Sequence, residues 1–152
     1  MLTISFFTAA DLPALRQMMN EYLQEFDPHT DPAGYWDEEY YAAWLAGLDA
    51  GTHTIWLART DGVFVGFALV RIEAHWYRRS RRIGVIDEFY VAPGQRRHGI
   101  GGSMAAHTIA ALYAQGVETI TASVLQTNLQ ALLFWQRMGL KIEAYHLFLR
   151  RP

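Results

Sequence analysis

Val91-Ala-Pro-Gly-Gln-Arg-Arg-His-Gly-Ile-Gly-Gly-Ser103 is the stretch on which the reading of this chain turns. It closes an apolar segment of strand character, Ile83–Val91, and runs into a helix-forming sequence, Ser103–Gln115, which Gly116 ends. A glycine-rich turn between a strand and a helix leaves several backbone N–H groups without intrahelical partners, all aimed at one point. The helix dipole adds positive potential there. Gly99, Gly101 and Gly102 carry no Cβ to hold an anion away from that backbone. The segment predicts a diphosphate-sized anion seated at the start of the helix.

Working outward, Glu118–Leu125 reads as a second strand, Asn128–Met138 as a short helix with Gly139 at its C-terminal side, and Lys141–Leu149 as a last extended segment. Towards the N-terminus, Leu2–Phe7 is a short strand. Thr8 and Asp11 have the spacing of a capping box, ahead of Leu12, Leu15, Met19, Tyr22 and Phe26 at helical spacing. Asp27–Gly34 has the composition of a loop, and Asp37–Leu48 that of a second helix. Thr52–Arg59 and Val63–Ala74 are strands joined by the turn Asp61-Gly62, and Trp76–Arg82 is a basic connection. The order β-α-α-β-β-β-α-β-α-β predicts an α/β fold with one mixed sheet, helices on both faces, and a single domain over residues 1–152.

Composition narrows the chemistry. About half of the 152 residues are apolar, which supports a packed core, and the net charge of -2 gives no bulk attraction to nucleic acid or an acidic membrane. With no cysteine there is no disulfide, thiolate metal site or cysteine nucleophile. The six histidines show no short metal-ligand spacing, so no metal site is expected. The absence of a signal-like N-terminus and of a ~20-residue apolar run makes a soluble, cytoplasmic protein the default expectation.

These residues support a family resemblance. The chain resembles the GNAT family of N-acetyltransferases. The family hallmark is Arg or Gln, two residues, Gly, any residue, then Gly or Ala, and it reads here Arg96-Arg97-His98-Gly99-Ile100-Gly101, after the strand Ile86–Val91 and before a helix. Asn128, Ala131, Phe134 and Gly139 match the pattern of the last family helix. The resemblance implies acetyl-CoA held between two neighbouring parallel strands, here Ile83–Val91 and Glu118–Leu125. It implies a turn of Arg96, Arg97, His98, Gly99, Ile100, Gly101, Gly102 and Ser103 around the diphosphate. Phe89, Tyr90 and Val91 would run along the pantetheine, with Asn128, Phe134 and Trp135 beside it. Asn128 also has the chemistry of an N-cap.

For the chemistry, Asp87 and Glu88 are similar to the acidic pair that precedes this turn in polyamine and related amine acetyltransferases, and a carboxylate could take the proton of an ammonium acceptor. Strand alternation lets at most one of them face the substrate, and the sequence does not choose. The N–H of Val91 would receive the oxyanion. The chain departs from the family at one position: the tyrosine expected after Phe134 is Trp135, whose indole cannot deliver a proton to the thiolate. Water or the product ammonium, another tyrosine such as Tyr145 or Tyr90, or acyl-CoA binding without turnover are the readings this leaves.

In the family, the first two helices and their loop wall the acceptor site. That stretch holds Tyr22, Phe26, Asp27, Asp31, Tyr35, Trp36, Asp37, Glu38, Glu39 and Tyr40, with Phe26, Asp27, Tyr35 and Trp36 the foremost substrate candidates. An acidic, aromatic wall suits a small cationic amine. The arginines of Trp76–Arg82 pull the other way, toward an anion or a solvated tip. A homodimer is an arrangement the family allows. A catalytically quiet acyl-CoA-binding regulatory module on the same fold is the alternative function.

Overall fold

Among the described residues, five strands form one sheet whose spatial order follows the chain: β1 (Leu2–Phe6), β2 (His53–Thr60), β3 (Val63–Ala74), β4 (Arg82–Val91) and β5 (Thr119–Ala122). The first four are antiparallel in sequence and β5 joins β4 in parallel. The computed structural model describes every residue except Pro28, Thr30, Phe148, Arg150 and Pro152, and the side chain of Phe26. Helices α1 (Leu12–Phe26), α2 (Pro32–Tyr35) and α3 (Glu38–Asp49) precede β2; α4 (Ile100–Ala114) bridges β4 and β5; α5 (Leu129–Arg137) follows β5. None of the described helices is long and apolar enough to cross a membrane.

Alternation along the strands divides the core in two. On one face Trp56, Ala58, Val70, Ile86 and Val91 pack with Met104, Leu112 and Trp135 of α4 and α5. On the other Leu57, Phe67, Leu69 and Tyr90 pack with Leu15, Met19, Leu23 and Trp44 of α1 and α3. Phe67, Leu57, Met19 and Leu23 are fully buried, each worth ~1.5–3 kcal/mol. The capping box forms as its spacing predicts: the Thr8 N–H and hydroxyl both donate to Asp11 Oδ2 at 2.8 Å. Asp11 Oδ1 also accepts from Arg59 of β2 at 2.8 Å, which pins the start of α1 to the sheet. The turn Asp61-Gly62 has both residues at positive φ, as a tight hairpin needs.

Four expectations are corrected. Helix α4 starts at Ile100, three residues before Ser103, because Gly99 takes φ +80° and its carbonyl already accepts the Ser103 N–H at 3.0 Å. The loop over 27–34 contains the start of α2, where the Asp31 side chain accepts the Ala33 N–H at 3.0 Å and Pro32 leads the helix. Strand β5 covers only four of the eight residues of Glu118–Leu125, since its pairing with β4 stops at Ile86↔Ala122. The described residues of Lys141–Leu149 form no strand. They are exposed, Leu147 and Leu149 almost completely, and an apolar alternation without a neighbouring strand to receive its N–H groups does not make one. Phe148 of that segment lies outside the described residues.

Candidate active site

The site is where β4 outruns β5. Ile83 to Ile86 pair with Thr119 to Ala122, and from Asp87 onward β4 has no strand partner on that side among the described residues. The strands part into a cleft whose lining includes Ile86, Asp87 and Phe89 of β4, Asn128 and Trp135 at α5, and Tyr22 of α1. Successive amides of a strand point to opposite edges. Ala92 donates its N–H to Val65 on the β3 side at 2.9 Å, so the N–H groups of Val91 and Phe89 face the open edge.

Beyond β4 the chain makes a 3-10 turn over Pro93–Gln95 and then the glycine turn. Arg97 (φ 63°) and Gly99 (φ 80°) both sit in the left-handed region. This conformation is strained for arginine and open to glycine. It delivers the chain into α4 with the N–H groups of Ile100, Gly101 and Gly102 ahead of the first intrahelical bond, free of helical partners. A side chain at Gly102 would meet open space, whereas one at Gly101 would touch the Phe134 ring at 3.5 Å. Arg97, His98 and Ser103 are exposed around the turn, and Ile100 is buried beneath it. Arg96 is tied inward instead. Its Nε donates to the Val91 carbonyl at 2.7 Å and its two terminal nitrogens grip the Glu25 carboxylate at 2.6 Å each. That pairing braces the turn against α1.

Helix α5 supplies the other wall. Asn128 caps it, Oδ1 accepting the Ala131 N–H at 3.0 Å, which leaves its amide N–H groups as donors at the cleft. Phe89, Phe134 and Trp135 pack on one another with centroids 4.9–5.6 Å apart. Trp135 is buried, with part of its surface lining the cleft. Tyr90 does not join this group. It points through the sheet to the α1 side, 5.5 Å from Phe67 and 5.6 Å from Tyr22.

The two acids break the strand alternation. Leu69 lies opposite Glu88 and Val70 opposite Ile86, so Asp87 is an extra residue, a β-bulge. Ile86 and Phe89 both pack on the α4 side. Asp87 and Glu88, between them, therefore both turn to the α1 and α3 side. Simple alternation would set the two acids on opposite faces; the bulge puts them on one, and of the two Asp87 lines the cleft. Asp87 accepts from Arg71 Nε at 2.8 Å, and Arg71 also pairs with Glu73. Burial lifts the Asp87 carboxyl above its ordinary value, with Arg71 pulling against the shift. Glu88 receives the Tyr22 hydroxyl, and burial pushes it up to about 7. Burial and the Glu88 charge also raise the Tyr22 and Tyr40 hydroxyls well above the ordinary phenol range. The result is a carboxyl raised into the neutral range beside the Tyr22 and Tyr40 phenols, with the Arg71–Asp87 ion pair next to it.

The acceptor side is less as the sequence suggested. Trp36 is buried, its Nε1 donating to the Met19 carbonyl at 3.1 Å, and so anchors α2 to α1 rather than facing a substrate. Tyr35 is half exposed, with its ring edge against Trp36. Asp27 ends α1, partly buried. The Phe26 side chain lies outside the described residues. Tyr22, Tyr40, Arg71 and His53, the cross-strand neighbour of Arg71, are nearer the acids. The two tyrosines belong to the stretch read as an aromatic wall, but nothing in one sequence aligns Arg71 or His53 with Asp87. In the basic connection, Arg81 pairs with Glu118 at 3.3 Å and Arg82 donates to the Gln115 carbonyl at 2.6 Å, so two of its arginines hold the turn between α4 and β5.

Known proteins share this fold. The model of the acetyltransferase (GNAT) family matches residues 15–140. A streptothricin acetyltransferase of Streptomyces lavendulae is 32% identical over 93 residues, which cover 61% of this chain and 47% of that protein, so the match spans about half of the relative's length. Among solved structures, a transcriptional regulator from Bacillus halodurans C-125 superposes with a TM-score of 0.83 at 17% identity, covering 99% of this chain and 100% of the other. An aminoglycoside acetyltransferase bound to a bisubstrate analog of CoA and acetylneamine gives 0.80 at 18% identity, covering 100% and 99%. The two structural likenesses speak for the fold; the family model, spanning most of the chain and both walls of the cleft, decides the assignment: this chain belongs to the GNAT acetyltransferase family.

Proposed function

We propose that the protein transfers an acetyl group from acetyl-CoA to a primary amine, of the small cationic class, by direct attack in a ternary complex. The observation that carries this reading is the cleft between β4 and β5, with unpaired strand amides leading to a helix N-terminus, and with Asp87 and Tyr22 in its lining and the partly buried Glu88 behind the Tyr22 hydroxyl. The free amides at residues 97–102, with exposed Arg97 and His98, fit a diphosphate. The open edge of Phe89 and Val91 fits the amide-bearing pantetheine arm as an added strand, with the Asn128 amide opposite and Phe134 supporting the turn. Acetyl-CoA bound there supplies the acetyl thioester.

Glu88 is the proton acceptor in this reading. A carboxyl near 7 is basic enough to draw a proton from an ammonium and is half ionised at neutral pH. Asp87, held by Arg71, stays beside it as a fixed negative charge that attracts a cationic acceptor. The Val91 N–H, on the open edge, is the donor for the developing oxyanion. The relatives named above as streptothricin and aminoglycoside acetyltransferases act, by their names, on amine-bearing molecules, which supports a cationic acceptor here.

The test is thiol release from acetyl-CoA across a panel of polyamines, aminoglycosides, amino acids and peptides. Turnover should favour acceptors with several amino groups, and preference for carboxylate-rich acceptors overturns the substrate class. Trp135 at the position of the family's tyrosine motivates a second reading, an acyl-CoA-binding regulatory module. Tight acyl-CoA binding without release across the panel would favour it.

A further inference from the structure

Acetyl transfer leaves a thiolate that must take up a proton, and Trp135 cannot supply one. The two tyrosines that the sequence offers instead are badly placed. Tyr145 is 83% exposed in the segment after α5, and Tyr90 is buried beneath the Arg96 guanidinium, behind Tyr22 and away from the cleft lining. A third phenol is on the cleft. Tyr22 reaches it from α1 and lines it together with Phe89, Asn128 and Trp135. Its ring is held edge-on to Phe67 at 6.0 Å and against Tyr90 at 5.6 Å, and its hydroxyl donates to Glu88.

We propose that Tyr22 is the general acid of this enzyme, standing in from α1 for the tyrosine that α5 lacks and passing to the departing sulfur a proton replaced by Glu88. The proposal rests on the acetyl-transfer reading above. In the resting state the Glu88 carboxylate accepts the Tyr22 hydroxyl proton in a hydrogen bond. When Glu88 takes a proton from the substrate ammonium, the direction of that bond reverses: the new carboxyl O–H donates to the phenol oxygen, and the phenol hydrogen is released toward the cleft. The amine nitrogen then bonds to the acetyl carbon. As the C–S bond breaks, its electron pair stays on sulfur, which takes the Tyr22 proton, and the phenol oxygen takes the proton of Glu88. The second nitrogen proton leaves to water. The products are the amide, the free thiol and one solvated proton, with Glu88 and Tyr22 restored.

The electrostatics support a relay over a lone acid. Burial makes the Tyr22 phenol by itself a poor donor to an alkyl thiolate, whose conjugate acid lies near ~8.5. Glu88, near 7, is acidic enough, so the coupled transfer from Glu88 through Tyr22 to sulfur runs downhill.

The experiment compares wild type with Tyr22→Phe, which keeps the ring packing and removes the hydroxyl. The thiol pKa of bound CoA is read from thiolate ultraviolet absorbance, alongside CoA affinity by calorimetry and kcat with an accepted amine. The expected result is CoA affinity within about threefold of wild type, a bound-thiol pKa higher by about one unit, and kcat lower by about 10²-fold. A residue that only positions Glu88 would lower kcat without moving the thiol pKa, so an unchanged thiol pKa, or an unchanged kcat, overturns the proposal. Fluorotyrosine at position 22 gives the same answer in a protein that keeps every packing contact: its stronger acid should lower the bound-thiol pKa, and no shift counts against Tyr22. A wild-type protein that binds no CoA removes the underlying reading together with this one, whereas normal wild-type turnover with an unaffected Tyr22→Phe removes this proposal alone.

Discussion

The two ends of the candidate site are built from different material. At the α4 end the working groups are backbone amides, arranged by consecutive residues from Arg97 to Gly102. At the α1 end they are side chains, Tyr22, Tyr40, Asp87 and Glu88, brought together from two helices and a bulged strand. A backbone site tolerates changes of side chain so long as the conformation survives, while a side-chain site depends on each functional group. The two ends should therefore fail in different ways.

The largest effect is expected where conformation is the function. Gly99→Val forces a β-branched residue to φ +80° and should weaken acetyl-CoA binding by about 10²-fold, close to 3 kcal/mol, in a calorimetric titration. Gly101→Ala, whose added methyl would sit at ordinary contact distance from Phe134, should change it by less than about threefold. Equal losses would mean that added side-chain bulk, and not backbone conformation, governs binding at this end.

At the side-chain end, Glu88→Gln should leave acetyl-CoA affinity intact and lower kcat/KM by about 10²-fold. Wild-type activity should fall as the pH drops through about 7, because protonated Glu88 cannot accept a proton, and the variant should lose that limb. Rate profiles from pH 5 to 9 measure both.

The same substitution should stabilise the protein. The fold holds Glu88 near 7, above its unfolded value, so it favours the neutral carboxyl. That contribution is complete at acid pH and lost as the pH rises through about 7. Glu88→Gln should then exceed wild type by roughly 2–3 kcal/mol in urea denaturation at pH 8, with the gap closing below about pH 4.5. A variant less stable at pH 8 would mean that the carboxylate is well solvated there.

The smallest effect belongs to the brace between the two ends. Glu25→Gln weakens the grip on Arg96, and because that pair is 40% exposed on both sides the cost should stay below about 1 kcal/mol in the same denaturation series.

Legibility in the sequence follows the same division. The strand, turn and helix around Arg96–Ser103 were readable because glycine spacing is local and a left-handed cap needs a residue such as Gly99. The β2–β3 hairpin was readable from Asp61-Gly62 for a similar reason. The bulge at Asp87 was not, since it is an excess of one residue in β4 against β3, which only the register of two distant segments defines. Trp36 looked like a wall because aromatic and acidic residues surround it in sequence; its bond to the Met19 carbonyl is a tertiary fact. The reach of Tyr22 into the cleft depends on how α1 lies across the sheet, and so its place beside Glu88 carried no local signature. The shortness of β5 and the unpaired Lys141–Leu149 show the limit of alternation, which marks a segment able to pair without naming a partner.

The central claim is that the amides of residues 97–102 hold the diphosphate of an acyl carrier. Calorimetric titration with CoA and with pantetheine, which has the same thiol arm and no diphosphate, tests it most directly. The account predicts that CoA binds at least about 10²-fold more tightly than pantetheine to the wild-type protein, and that Gly99→Val removes most of that difference. Equal affinity for the two ligands, or no measurable binding of CoA, would contradict it.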